Sequence, residues 1–144
     1  MKNILAVALF FCGTFFLLLL SSCSKNDETS EMPAIDPTVT GTVLSMGTFS
    51  GSRNYSVSGS AKLLDQSGKK VLRLENLASS NGPDLKVYLA SDITASKFID
   101  LGKLRSVSGN QNYDITGSPN LAEYPFALIW CKQFGVLFGS APLK

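Results

Sequence analysis

The sequence contains no histidine among its 144 residues. Without an imidazole, neither Ser-His-Asp nor Cys-His catalysis can operate. The helical His-Glu-x-x-His zinc site and every other zinc set that includes histidine are excluded as well. Cysteine is scarce: Cys12, Cys23 and Cys131. There is no G-x-G-x-x-G, no Gly-Lys-Ser/Thr and no Asp-x-Asp-x-Asp-Gly, so phosphate cradles and calcium loops of those kinds are absent. Charge of one sign is lacking too, with 13 Lys+Arg against 11 Asp+Glu. Apart from Lys69-Lys70 the basic residues are scattered, and nucleic acid, which needs clustered cations, is not an expected partner. Tryptophan occurs once, at Trp130.

What is present begins with a leader. Lys2 supplies a positive start, and Ile4 to Leu20 is apolar with only Gly13 and Thr14 diluting it. Leu20-Ser21-Ser22-Cys23 follows. A charged start, an apolar stretch and small residues before a cut describe a secretory signal. The ending resembles a bacterial lipobox, which makes residues 1–22 the signal peptide and Cys23 the lipidated N-terminus. The alternative is an uncleaved anchor, but the stretch sits near the lower limit of ~17 residues for a spanning helix. The lipobox favours processing. Residues 23–40 then read as the lipidated end and a flexible tether, because "SKNDETSEMPAIDP" is polar, acidic and bounded by prolines. Ser24 is neutral, which suits delivery to the outer membrane. "KNDE" resembles the acidic export signals of Bacteroidota surface lipoproteins. The expected location is the Gram-negative cell envelope, as an outer-membrane lipoprotein held to the membrane by lipid on Cys23.

This leader changes the cysteine count. Cys12 leaves with the signal and Cys23 carries lipid. Cys131 is then a lone thiol in a compartment that favours disulfides.

Residues 41–144 form the expected folded domain. Thr42 to Ser50 reads as a strand. In "YSVSGSAKLLD", Tyr55, Val57, Gly59, Ala61 and Leu63 share one face. In "KVLRLENL", Val71, Arg73 and Glu75 alternate with Leu72, Leu74 and Asn76, which predicts an apolar face inward and a charged face outward. Gln66-Ser67-Gly68 between these runs predicts a hairpin. "SSNGPD" is dense turn chemistry. "LKVYLA" places Leu85, Val87 and Leu89 opposite Lys86, Tyr88 and Ala90. Ser91 to Lys97 reads as a polar loop with a helical turn. "FIDLGKL" and "SGNQNYDI" are short strands, and "TGSPNLAEYP" is a loop. The last pair is Phe126 to Trp130 and Phe134 to Phe138, joined through Cys131-Lys132-Gln133. About eight short strands with frequent turns predict an all-β fold, either a single antiparallel β-sandwich or a small barrel.

Carboxylate pairs could be drawn from Asp65, Glu75, Asp84, Asp92, Asp100, Asp114 and Glu123. A glycosidase needs two of them across a cleft, and a domain of this size with short loops is a poor host for one. Exposed Tyr55, Tyr88, Tyr113 or Tyr124, with the loop amides Asn81, Asn110, Gln111 and Asn112, could build a binding site for a glycan or partner protein. The plainer reading is turn-forming and strand-surface chemistry.

The constellation "LIWCKQF" is the remaining one. On a strand, Phe126, Leu128 and Trp130 share one face, and Ile129 and Cys131 share the other. Cys131 lies at the strand end beside Lys132, which predicts a reachable thiol whose neighbouring cation favours the nucleophilic thiolate. Free cysteine is also among the most buried residue types, so core filler is the alternative. Ile129, Trp130 and Phe134 read as core and scaffold.

"NGPDLKVYL", "LGKL", "GNQNYDI" and "YPFALIWCKQFGVLFGSAPL" together resemble the DM-thirteen domain family. The marks fall on Gly82 to Leu85, Val87 to Leu89, Leu101 to Leu104, Gly109 to Tyr113 and Ile129 to Phe134. Phe138, Gly139 and Ala141 follow. "GTFSGSRNYSVSGSAKLL" also fits the family's opening segment, except that many members carry a histidine where this chain has Tyr55-Ser56-Val57. The resemblance implies an extracytoplasmic β-domain that serves electron transfer or binding rather than acting as a stand-alone catalyst. It implies that Cys131 is the redox or haem-ligating residue, with Trp130 beside it at the cofactor, and that a redox partner protein exists. A His/Cys haem site cannot form without histidine. Haem held axially by the Cys131 thiolate, or a thiol cycling through sulfenic acid or a mixed disulfide, remains open.

Overall fold

A computed structural model describes residues 33–144. The signal peptide, Cys23 and most of the expected tether lie outside the described residues. Ten strands run in chain order: β1 (Ala34–Ile35), β2 (Thr42–Thr48), β3 (Ser50–Gly51), β4 (Val57–Gln66), β5 (Lys69–Ser79), β6 (Leu85–Ala90), β7 (Phe98–Lys103), β8 (Ser108–Ile115), β9 (Phe126–Cys131) and β10 (Val136–Pro142). They build two five-stranded sheets. Sheet I has the order β1-β8-β5-β4-β2, and sheet II has the order β3-β10-β9-β6-β7. All pairs are antiparallel except β1 with β8. Neither sheet closes on itself, so the fold is a β-sandwich and not a barrel. The strands beyond the expected eight are the two-residue β1 and β3.

The hairpin expected around Ser67-Gly68 joins β4 to β5, with Gln66 opposite Lys69. Both loop residues have positive φ, 52° and 95°. A two-residue loop of that kind matches the twist of the flanking strands. Asp65 pins it, accepting the Gly68 N–H at 2.7 Å and the Lys70 ammonium at 2.6 Å.

The main core lies between the sheets. It takes Ala61, Leu63, Leu72 and Leu74 from sheet I and Leu85, Val87, Leu89, Ala127, Ile129 and Phe138 from sheet II. Burying each large aliphatic side chain contributes ~1.5–3 kcal/mol. A smaller cluster covers the outer face of sheet II, where Tyr88, Ala90 and Leu128 pack with Ala95, Phe126, Trp130 and Leu137.

The expected outward face of β5 is not as the alternation predicted. Arg73 is buried. Sheet I has a second cover on that side, because Pro37 and Asn112 reach over the guanidinium and accept from it at 3.0 and 2.8 Å. Glu75 pairs with it at 2.9 Å. The end of the expected tether is accordingly structured: Ala34–Ile35 pair with Gly109–Asn110, and the Asp36 carboxylate is held by Arg105 and by the Asn112 N–H. At Ser91 to Phe98 the expected turn is a single hydrogen-bonded one, with the Ala95 N–H donating to the Asp92 carbonyl at 3.3 Å, and no helix forms. There the Asp92 carboxylate also ties the loop to Thr94 and Ser96. The one helical turn among the described residues is a short 3-10 helix, Leu121–Glu123.

Candidate functional site

β9 is the central strand of sheet II, flanked by β10 and β6. Its alternation is as the sequence predicted. Ala127, Ile129 and Cys131 point into the main core, and Phe126, Leu128 and Trp130 line the outer face. The strand runs one residue further than expected and ends on Cys131. Its partner begins later, at Val136, which puts Lys132 to Gly135 in the turn. Phe134 is therefore not scaffold; it sits on the turn and is 62% exposed.

Cys131 is fully buried, at 0% exposure. This corrects the expectation of a reachable thiol. The end of a strand in sequence is not the end of the sheet here. Cys131 stands between Leu85 on one side and Val136 on the other, and the ladder continues past it, with the Lys132 N–H donating to the Asp84 carbonyl at 2.9 Å. Lys132 itself is exposed, so its charge stays in water while the sulfur stays in the core.

The short segments singled out in the sequence meet at this end of the sandwich, with Leu85 as their hub. The Leu85 carbonyl accepts the Leu104 N–H at 2.8 Å. Its neighbour Asp84 accepts from Lys132, and Leu85 faces Cys131. Gly82 packs against the Leu85 and Phe138 side chains: a Cβ there would lie 3.0 Å from Leu85 Cδ2 and 2.9 Å from Phe138 Cζ. A bulge between Leu137 and Gly139 turns the Phe138 ring inward. That ring stacks on Tyr55 with centroids 3.8 Å apart. Gln111 locks the segment after β7. Its Oε1 accepts from the Tyr113 hydroxyl at 2.7 Å and from the Arg105 and Ser106 N–H groups, and its Nε2 donates to the Ser106 carbonyl at 2.7 Å.

Residues 48–143 match the family model described as Electron transfer DM13. The chain belongs to the DM13 electron-transfer family. No curated protein and no solved structure matches it significantly.

In this DM13 domain a haem held by Cys131 does not fit. Axial ligation needs a sulfur that faces an open position, and this sulfur is enclosed by packed side chains. Among the described residues no group of three or more His, Cys, Asp or Glu could hold a metal ion. No helix among them is long and apolar enough to cross a membrane.

The other candidates fall apart spatially. Tyr88 and Tyr113 are buried, and burial pushes both phenols above their ordinary pKa. Gln111 is buried, and with Asn110 and Asn112 it belongs to β8 rather than to a loop. The carboxylates serve turns and ion pairs. Glu75 binds Lys62 at 2.6 Å, Asp114 binds Lys69 at 2.9 Å, Asp84 binds Lys86 at 3.4 Å and Glu123 binds Lys97. Asp100 accepts the Gly102 N–H.

Sequence reasoning missed a second feature of this DM13 domain. On the outer face of sheet II, the stacked rings Phe98, Tyr88 and Trp130 run across three strands, at centroid spacings of 4.3 and 6.3 Å. Beside Trp130 lies an open groove of about 560 Å³ that also takes in Tyr55, Ile93 and Leu137. The only hint in the sequence was Ile93, an apolar residue inside an otherwise polar loop.

Proposed function

We propose that this DM13 domain relays electrons through the thiol of Cys131, in the cell envelope and held at the outer membrane by lipid on Cys23. The lipobox-like Leu20 to Cys23 and the neutral Ser24 support the location. One observation supports the site: Gly82 to Asp84, Leu104, Lys132 and Phe138 meet around Leu85, the strand partner of Cys131, which is the one free thiol among the described residues.

A thiol passes electrons by exchange. The Cys131 thiolate attacks one sulfur of a partner's disulfide, a new S–S bond forms, the partner's bond breaks, and the partner's second sulfur leaves as thiolate. A second partner that carries two thiols then acts. One of its thiolates attacks the Cys131 sulfur and releases the first partner's remaining sulfur as thiolate. Its other thiolate attacks its own sulfur in the new mixed disulfide, closing that partner's disulfide and freeing the Cys131 thiolate. Two electrons have passed from the second partner to the first. With the sulfur enclosed, exchange requires the Asp84–Lys132 and Gly82–Phe138 contacts to part, so closure limits the thiol to partners able to open this end.

The test is incubation of the purified protein with glutathione disulfide under native conditions, followed by mass spectrometry of the Cys131 peptide. A glutathione adduct that forms slowly when folded and rapidly in denaturant is expected. A peptide that stays unmodified in the folded protein, yet reacts in denaturant, overturns the relay. A second reading, a surface binding module in which Cys131 is structural, is favoured by the groove beside Trp130.

A further inference from the structure

The groove beside Trp130 has a composition that no part of the relay uses. Its walls are Tyr55, Ile93, Trp130, Val136 and Leu137, and its rim carries Arg53. Its volume falls within the ~300–1,000 Å³ of small-molecule sites. Trp130 is fixed from behind by the Tyr88 ring, itself stacked on Phe98, and Tyr55 is fixed by Phe138. Two rigid aromatic planes thus border one apolar opening.

The charge is one-sided. No Asp or Glu lines the groove. The nearest acid in sequence, Asp92, is turned onto Thr94 and Ser96. Arg53 is exposed, stands at a left-handed φ of 50°, and no carboxylate pairs with it among the described residues. A guanidinium is a planar fork suited to carboxylate, sulfonate or phosphate oxygens.

We propose that this groove binds a planar aromatic anion, its ring against Trp130 and Tyr55 and its charged group on Arg53. The proposal goes beyond the electron relay and does not use Cys131. Trp130 precedes Cys131 on β9, so the ligand would lie on the outer face of the strand whose inner face holds the thiol.

The single tryptophan makes the site its own reporter. Titration of the purified protein with anthraquinone-2-sulfonate should quench Trp130 saturably, and calorimetry should give the same midpoint. Arg53→Gln, an exposed change, should weaken binding about tenfold, as loss of a charge-assisted hydrogen bond does. Ile93→Asp, at a position 49% exposed, should abolish it. Cys131→Ala should bind as the parent does, which separates failure of the groove from failure of the relay. Non-saturable quenching, equal affinity in Arg53→Gln, or saturable binding of a neutral oligosaccharide in place of the sulfonate overturns the proposal.

Discussion

Gly82→Ala tests whether access to Cys131 is controlled at the convergence of the short segments. The new Cβ would lie 2.9 Å from Phe138 Cζ, 3.2 Å from Phe138 Cε1 and 3.0 Å from Leu85 Cδ2. Real contacts of a Cβ are longer, so something must shift. The Phe138 ring cannot yield cheaply, because it is buried and stacked on Tyr55 at 3.8 Å. Leu85 is held by its pairing with Cys131 and by the Leu104 N–H. Overpacking a filled core costs ~1–3 kcal/mol. If that strain is relieved by parting the loop from β9, the open population rises by the same free energy. Labelling of Cys131 in the folded protein, limited by that population, should then accelerate about 5- to 150-fold at ~1.4 kcal/mol per decade. The assay is maleimide labelling read at the Cys131 peptide, beside a urea melt read by Trp130. A variant that loses stability but labels at the parent rate would show that the thiol is reached by another route.

Two further predictions concern the frame around the site. Gln111→Ala removes the acceptor of the Tyr113 hydroxyl and of two backbone N–H groups and the donor to Ser106. Loss of these buried hydrogen bonds, together with the space vacated, should cost ~2–4 kcal/mol in urea unfolding, and a loss under ~1 kcal/mol would contradict the lock. Glu75 is held below its ordinary value of 4.5, chiefly by its hydrogen bond with Lys62 and also by Arg73. A lowered folded pKa gives stability that is present above the unfolded value and lost as pH falls through the folded one. The urea midpoint should therefore fall as pH drops below about 4.5, and Glu75→Gln should lower the midpoint at pH 7 and flatten the acid slope. An unchanged acid slope would sink the assignment.

Strand periodicity reads local geometry well. The faces of β9 and the Ser67-Gly68 hairpin were legible because each depends on neighbours a few residues away. The alternation around Arg73 misled because its cover comes from Pro37 and Asn112, both distant in sequence. Cys131 misled for the same reason. Lys132-Gln133 looks like the end of protection, yet protection comes from Asp84 and Leu85, brought alongside by sheet pairing. Phe134 is apolar and still exposed, because the later start of β10 leaves it on the turn. The groove was illegible altogether, since Arg53, Ile93 and Trp130 belong to three separate segments that only the sandwich brings together.

The seam at β1 also has a mechanical meaning. Tension on the chain ahead of Ala34 enters sheet I at its edge. There it meets a clasp in series: the Asp36 N–H on Asn110, the Asp36 carboxylate on Arg105 and Asn112, and the Pro37 carbonyl on Arg73 and Asn112. Arg73 is rooted in the central strand of that sheet. Load is thus spread into β5 and β8 of sheet I, whereas the thiol of Cys131 belongs to β9 of sheet II.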